Sequence, residues 1–215
     1  MSSELHETVD RLSRDDIHKI LANGRRSTVD DPYPPGFLQA VARPASVLMP
    51  LLWNERQWEL LFIRRTNIDG DIHSGQVAFP GGGAEPGDKD PVDTALREAQ
   101  EEIGLHPVDV RIIASLGAFR TISNYLVTPI IGFIPWPYRL NPLPAEVSRV
   151  FSIPLSWLLD PNNHHLEQRV LPAPHQPVQV IYFMPYLGEV LWGASARFTC
   201  DFLNLLSKKI QDCSG

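Results

Sequence analysis

The stretch Gly81–Leu105, GGGAEPGDKDPVDTALREAQEEIGL, constrains this chain more than any other. At ~100° of rotation per residue, Val92, Ala95, Leu96, Ala99 and Ile103 fall in one sector about 100° wide, and Glu98, Glu101 and Glu102 fall in another. Asp90 reads as the N-cap, Pro91 as the first helical residue, and Asp93 stands three residues after the cap. Gly104 reads as the C-cap. The stretch therefore predicts a bounded helix of roughly three to four turns that buries one face and gathers three carboxylates on the other.

Like charges one turn apart repel by tenths of a kcal/mol per pair on an exposed helix, so one reading of this face is a plain solvated acidic surface. The other follows from the glycine-rich segment immediately upstream, which brings backbone close to the same face. Mg²⁺ takes carboxylate oxygens and shares them with substrate phosphates. A carboxylate cluster beside a glycine loop is then a metal–phosphate site. Arg97 and Glu101 are i,i+4, a spacing at which the guanidinium orients the carboxylate.

Composition sets the limits around that site. With 215 residues, 43% hydrophobic and 20% charged, the chain has ordinary globular composition and is expected to form one domain over residues 1–215. A net charge of −6 argues against a general nucleic-acid surface, and an anionic substrate needs a bridging cation or a focused group of arginines and lysines. Cys200 and Cys213 show neither metal spacing nor a disulfide framework. The opening MSSELHETVDRLSRDD lacks an apolar signal region, and no apolar run approaches the ~18 residues of a membrane span. The expectation is a cytoplasmic protein without nucleic-acid or membrane partners; monomer and homodimer both stay open.

In chain order, residues 4–22 read as an amphipathic helix ended by Gly24, and 25–45 as a Pro-rich connector, so that 1–39 form an N-terminal extension. Ser46–Trp53 and Trp58–Arg64 read as a hairpin turned at NER. Residues 66–74 read as a loop around Gly70, Gln76–Phe79 as a short extended piece, and Pro80–Gly83 as a glycine loop. Val110–Leu116, Thr128–Ile134, Glu146–Phe151 and Val178–Met184 read as strands, Leu155–Leu159 as a short helix, and Gly193–Ile210 as the closing helix. Gly117–Leu126, Pro135–Pro144 and Pro161–Pro177 read as irregular, the last broken by a strand at 166–171. Strands interleaved with three good helices predict an α/β fold, a mixed sheet flanked by helices.

Other chemistries find little support. There is no G-x-S-x-G elbow, no Walker loop, and Gly81–Gly83 lacks G-x-G-x-x-G spacing. His164–His165 read as solvated surface, Cys200 as a core residue, and Trp136 and Tyr138 as packing groups.

REAQEEIGL at Arg97–Leu105 resembles the second half of the Nudix box, G-x5-E-x7-R-E-U-x-E-E-x-G-U, with Ala99 where a larger aliphatic is usual. Counting back places Gly83 at the first glycine and Lys89 at the earlier glutamate, a departure for which Glu85 and Asp88 are the neighbouring carboxylates. Upstream, LLFIRRTNIDGDIHSGQVAFPGG (Leu60–Gly82) resembles the signature of the coenzyme A diphosphatase branch at Leu60, Leu61, Arg64, Gly75, Phe79, Pro80, Gly81 and Gly82. Phe62 replaces a threonine and Asp71 an arginine.

The resemblance implies an α/β/α sandwich and hydrolysis of the diphosphate of coenzyme A or acyl-CoA, with Mg²⁺ or Mn²⁺, to 3′,5′-ADP and (acyl-)4′-phosphopantetheine. Other Nudix substrates, such as ADP-ribose or a dinucleotide, are the alternative, and a non-catalytic nucleotide-binding module is a third reading. It further implies Glu98, Glu101 and Glu102 as metal ligands, Arg97 as their orienting partner, and Glu98 or a later glutamate such as Glu146 as general base. Arg64, Phe79, Gly81 and Gly82 are implied as substrate contacts.

Overall fold

The computed structural model describes residues 8–22, 29–67, 70, 74–171 and 177–213, with side chains described up to residue 207. Gly24, Asp71, the start of the expected N-terminal helix and the side chain of Cys213 lie outside the described residues.

The centre is strand β1 (Arg43–Asn54), buried along most of its length and flanked on both edges. On one edge it runs parallel to β7 (Tyr125–Phe133), from Arg43 opposite Tyr125 to Leu51 opposite Phe133. On the other it meets β2 (Gln57–Arg65), through the turn at Glu55–Arg56, and β4 (Gly81–Gly83), both antiparallel. Outer positions are filled by β3 (Val77–Ala78) and β8 (Val147–Pro154) on β2, and by β5 (Arg111–Ser115) and β6 (Phe119–Arg120) on β7. The result is one mixed eight-stranded sheet.

Each face carries its own core. On one side lies helix α2 (Pro91–Ile103), with Ala95, Ala99 and Ile103 fully buried against Leu48, Leu52, Leu61 and Ile63. The small Ala95 and Ala99 let the helix approach the sheet closely. On the other side Met49, Leu51, Leu60, Phe62 and Phe79 pack with α1 (Arg14–Ala22), the short α3 (Leu155–Leu159) and α4 (Gly193–Cys213), through Ile17, Leu21, Leu155, Phe198 and Phe202. Strands β9 (His164–Arg169) and β10 (Val178–Phe183) form a separate hairpin on this side, and β10 packs on α4. Helices thus cover both faces of the sheet, an α/β/α sandwich as expected. Among the described residues no helix is long and apolar enough to cross a membrane.

Three expectations need correction. The triglycine is a strand rather than a loop. A Cβ at Gly81 would stand 2.3 Å from the Ser46 carbonyl oxygen and 2.6 Å from Val47 Cα, so only glycine lets β4 lie this close to β1. The N-terminal segment is not one continuous helix. Ser13 starts α1 by a capping box in which its Oγ accepts from Asp16 N and Asp16 Oδ2 accepts from Ser13 N. His164 and His165 lie in strand β9 and not in a loop; His164 is half-buried with its ring tilted against Phe183, while His165 is exposed as expected.

Candidate active site

Helix α2 is bounded as its sequence predicts. Asp90 Oδ1 accepts from Val92 N at 2.7 Å and Asp93 N at 3.0 Å. At the other end Gly104 adopts φ 68° and donates to Gln100 O, while Leu105 N reaches Ala99 O, which satisfies the last carbonyls. Asp93 reaches back to Lys89 N, one residue before the cap.

With both ends fixed, the helix aims its acidic face at β4. Gly81 N donates to Glu102 Oε2 at 2.9 Å. Gly82 lies so close to Glu98 that a Cβ there would stand 2.5 Å from the carboxylate carbon. Glu102 is 1% exposed, and Arg65 Nη1 stands 3.7 Å from its Oε1. Burial pushes the Glu102 carboxyl up to about 8, the Gly81 N–H and Arg65 work against that rise, and the charges of Glu98 and Glu146 add to it. Burial also raises Glu98, Arg97 opposes the rise, and Glu101 and Glu146 reinforce it. The exposed Glu146, immediately before β8, is thus near enough for its charge to act on both Glu98 and Glu102.

Arg97 ties the face together. Its Nη1 donates to Glu98 Oε1 at 2.9 Å and to Glu101 Oε2 at 3.1 Å. Its Nη2 donates to Gly83 O at 2.9 Å, and its Nε and Nη2 form a bidentate pair with Asp88, each at 3.1 Å. Asp88 also accepts from Glu85 N and Thr94 Oγ1. Its bonds to Arg97 hold its carboxyl well below the usual carboxylate range. Of the two carboxylates near Lys89, Asp88 thus makes the close pair with Arg97, while Glu85 stands 4.0 Å from it.

Glu98, Glu101, Glu102, Arg97, Gly81 and Gly82 come together as the sequence predicts. Phe79 does not join them. It is 2% exposed and stacks on Phe62 at 4.6 Å in the opposite core, away from the acidic face. Arg64 also projects to that opposite side, where it pairs with Glu189 at 3.1 Å. Its neighbour Arg65 is the arginine that reaches the acidic face. Spacing alone did not single out Arg65, Thr94 or Glu189.

Among the described residues no three carboxylate, imidazole or thiolate groups converge to cage an ion by themselves. Arg97 draws Glu98 and Glu101 to itself, while Gly81 and Arg65 hold Glu102. The donor set nevertheless fits a hard divalent ion. Mg²⁺ is usually held by one or two carboxylates with water and substrate phosphate, and a buried carboxyl whose ionisation is suppressed is the group that a cation would release.

The NUDIX domain family matches residues 42–173 of this chain. The chain is 35% identical over 181 residues to an uncharacterized Nudix hydrolase, NudL, of Photorhabdus laumondii, a match covering 84% of this chain and 91% of that protein. It is 40% identical over 124 residues to the peroxisomal coenzyme A diphosphatase NUDT7 of Mus musculus, covering 57% of this chain and 52% of that one. In fold it is similar to a MutT/nudix family protein from Enterococcus faecalis, with a TM-score of 0.52 and 13% identity, over 96% of this chain and 74% of that one. A matched box, an α/β/α sandwich around it and relatives of this extent place the chain in the Nudix hydrolase family, enzymes that use divalent metal ions to cleave diphosphates in small nucleotide substrates.

Proposed function

We propose that this chain hydrolyses the diphosphate of coenzyme A or acyl-CoA, releasing 3′,5′-ADP and 4′-phosphopantetheine or its acyl form, with Mg²⁺ or Mn²⁺. The observation that carries the reading is the junction of its two motifs. Gly81, in the FPGG end of the coenzyme A signature, donates directly to Glu102 in the Nudix box. The likeness to the mouse coenzyme A diphosphatase supports the same substrate.

In this reading Glu98 and Glu102, one turn apart on α2, are the principal metal ligands and Glu101 completes the set. When bound, the ion supplies charge neutralisation at the phosphoryl oxygens and a lowered pKa for water. Arg97 keeps Glu98 and Glu101 at fixed angles and, through Gly83 O and Asp88, fixes the loop that lies over the helix. Gly81 and Gly82 bring backbone against the carboxylates without a side chain in the way. Glu146, exposed and near enough for its charge to act on Glu98 and Glu102, takes the proton of the attacking water; Glu98, the other candidate, is already engaged by Arg97. Arg64 contacts substrate from the other side of the sheet.

Turnover of coenzyme A, ADP-ribose and a dinucleotide, side by side with Mg²⁺ and Mn²⁺ and read by product identity, tests the substrate. Release of 3′,5′-ADP from coenzyme A in preference to turnover of the others is the expected result. Faster cleavage of ADP-ribose would replace this reading with that of a different Nudix substrate.

A further inference from the structure

Arg64 of β2 and Arg149 of β8 stand directly opposite each other in the sheet, so their side chains rise on the same face. Two cations so placed repel each other. Between them lies Glu189. Its Oε2 accepts from Arg64 Nη1 at 3.1 Å and its Oε1 from Arg149 Nη1 at 3.0 Å. Glu189 is 5% exposed, whereas the two arginine side chains are 39% and 43% exposed.

The carboxylate is delivered by a tight turn. Tyr186 and Glu189 exchange both backbone hydrogen bonds, and Leu187 and Gly188 between them have φ of 50° and 83°. Positive φ at both central positions is the signature of a type I′ turn, which leucine adopts only against its own preference.

One arginine would neutralise Glu189. Among the described residues, the second leaves the cluster with an excess positive charge, exposed, on a chain whose net charge is −6. Each guanidinium has five donors, and Glu189 engages one terminal nitrogen of each. Arg149 Cζ also lies over the Phe151 ring at 5.4 Å, and its Nη1 reaches Leu187 O at 3.4 Å. Two anchored guanidinium forks facing solvent fit a dianionic oxyanion.

The cluster and the diphosphate site share β2 and its β8 edge but lie on opposite faces of the sheet. Arg65, the next residue of β2, turns to the other face and reaches Glu102, and the pairing of β2 with β8 shifts register between Arg64 and Arg65. Arg149 lies three residues along the chain from Glu146. We propose that Arg64 and Arg149, held by Glu189, bind a phosphate monoester that the substrate carries outside its diphosphate. The proposal rests on the coenzyme A reading. The 3′-phosphate of coenzyme A is such a group, and dephospho-CoA, ADP-ribose and simple dinucleotides lack it.

The test compares wild type with Arg149→Gln, and with Arg64→Gln as the second variant, on coenzyme A and on dephospho-CoA. Loss of a charge-assisted contact to the 3′-phosphate is expected to lower the ratio of the two kcat/KM values by about tenfold or more, mainly through KM for coenzyme A. Binding of 3′,5′-ADP and of 5′-AMP, followed by calorimetry without turnover, gives a second readout. Wild type is expected to prefer 3′,5′-ADP, and Arg149→Gln to lose that preference. If both substrates weaken equally in both variants, or both ligands bind alike in wild type, the cluster only fastens the 186–189 turn to the sheet and the proposal is overturned. If wild type leaves coenzyme A intact yet binds 3′,5′-ADP over 5′-AMP through Arg149, the substrate reading fails and the monoester site stands.

Discussion

The two faces of the sheet carry clusters of opposite sign built on one plan. On the α2 face a single arginine, Arg97, holds Asp88, Glu98 and Glu101, with Glu102 buried beside them. On the α4 face a single carboxylate, Glu189, holds two arginines. In each case the minority charge is the organiser and the majority charge points to the missing partner. The first cluster is short of positive charge and suits a cation; the second is short of negative charge and suits an anion. A metal-bound diphosphate that also bears a phosphate monoester would satisfy both.

The largest effect is expected at the first cluster. Glu102→Gln keeps the shape of the buried side chain and an acceptor for Gly81 N, but removes the charge. Metal-dependent release of 3′,5′-ADP from coenzyme A should fall by about a thousandfold, with the thermal midpoint unchanged or raised. Full activity in this variant would remove the acidic face from the mechanism and with it one half of the contrast.

Asp88→Asn comes next, because it touches the organiser and not the ligands. The bidentate partner of Arg97 loses its charge, and one of its two oxygens becomes an NH2 donor, so that one oxygen can no longer serve Arg97 Nε together with Glu85 N and Thr94 Oγ1. Outer partners of this kind are typically worth about 10- to 100-fold in activity or metal affinity. Lys89→Glu in the Asp88→Asn background is expected to recover part of the loss, since it restores the box carboxylate. An unaffected metal titration in Asp88→Asn would mean that Arg97 needs no support from this loop.

Much of the first cluster was legible in the sequence, and almost none of the second. Asp90, Pro91 and Gly104 bound α2 through local hydrogen bonds, and helical rotation then sets Glu98 and Glu102 side by side along the flank of the Ala95–Ala99 stripe. The two glutamates are about 40° apart, and Glu102 lies beside Ala95 and is buried along with it. These are short-range facts. Strand β4 was not legible, since three glycines carry no strand preference and pair only because β1 is there to meet them. Nor was the facing of Arg64 and Arg65. Alternation says that they point opposite ways, but β2 is buried on both faces, so no polar stripe marks which side is which. Glu189 meets Arg64 across 125 residues of sequence, beyond any local pattern. Phe79 was placed in the site because a motif residue and a core residue next to a motif look alike until packing is known.

A pH effect of intermediate size sharpens the account of the acidic face. The Glu102 carboxyl has an ordinary value of 4.5 and is pushed to about 8 in the folded chain. Between those values the folded state binds more protons than the unfolded one, so stability without metal falls as pH rises through that window. A divalent ion competes with the proton and offsets the penalty where the carboxyl is ionised. The rise in thermal midpoint on adding Mg²⁺ should therefore be larger at pH 8.5 than at pH 6, and Glu102→Gln should flatten the difference. Equal rises at both values in wild type would show that the ion is held without Glu102.

The smallest effect on function is expected at Phe79, where the structure departs from the motif reading. Phe79→Leu keeps an apolar side chain of similar bulk but gives up the stack on Phe62, a loss of about 1–2 kcal/mol of stability. Because the ring lies in the α4-side core and not in the cleft, KM for coenzyme A should stay within about twofold, as expected of a volume-conserving core change. The two readouts separate the roles. A lower thermal midpoint with KM preserved identifies Phe79 as the floor beneath the FPGG turn. An unchanged midpoint with KM raised tenfold would instead bring the ring into contact with substrate, and the division of the sheet into a catalytic face and an anchoring face would have to be redrawn at β3.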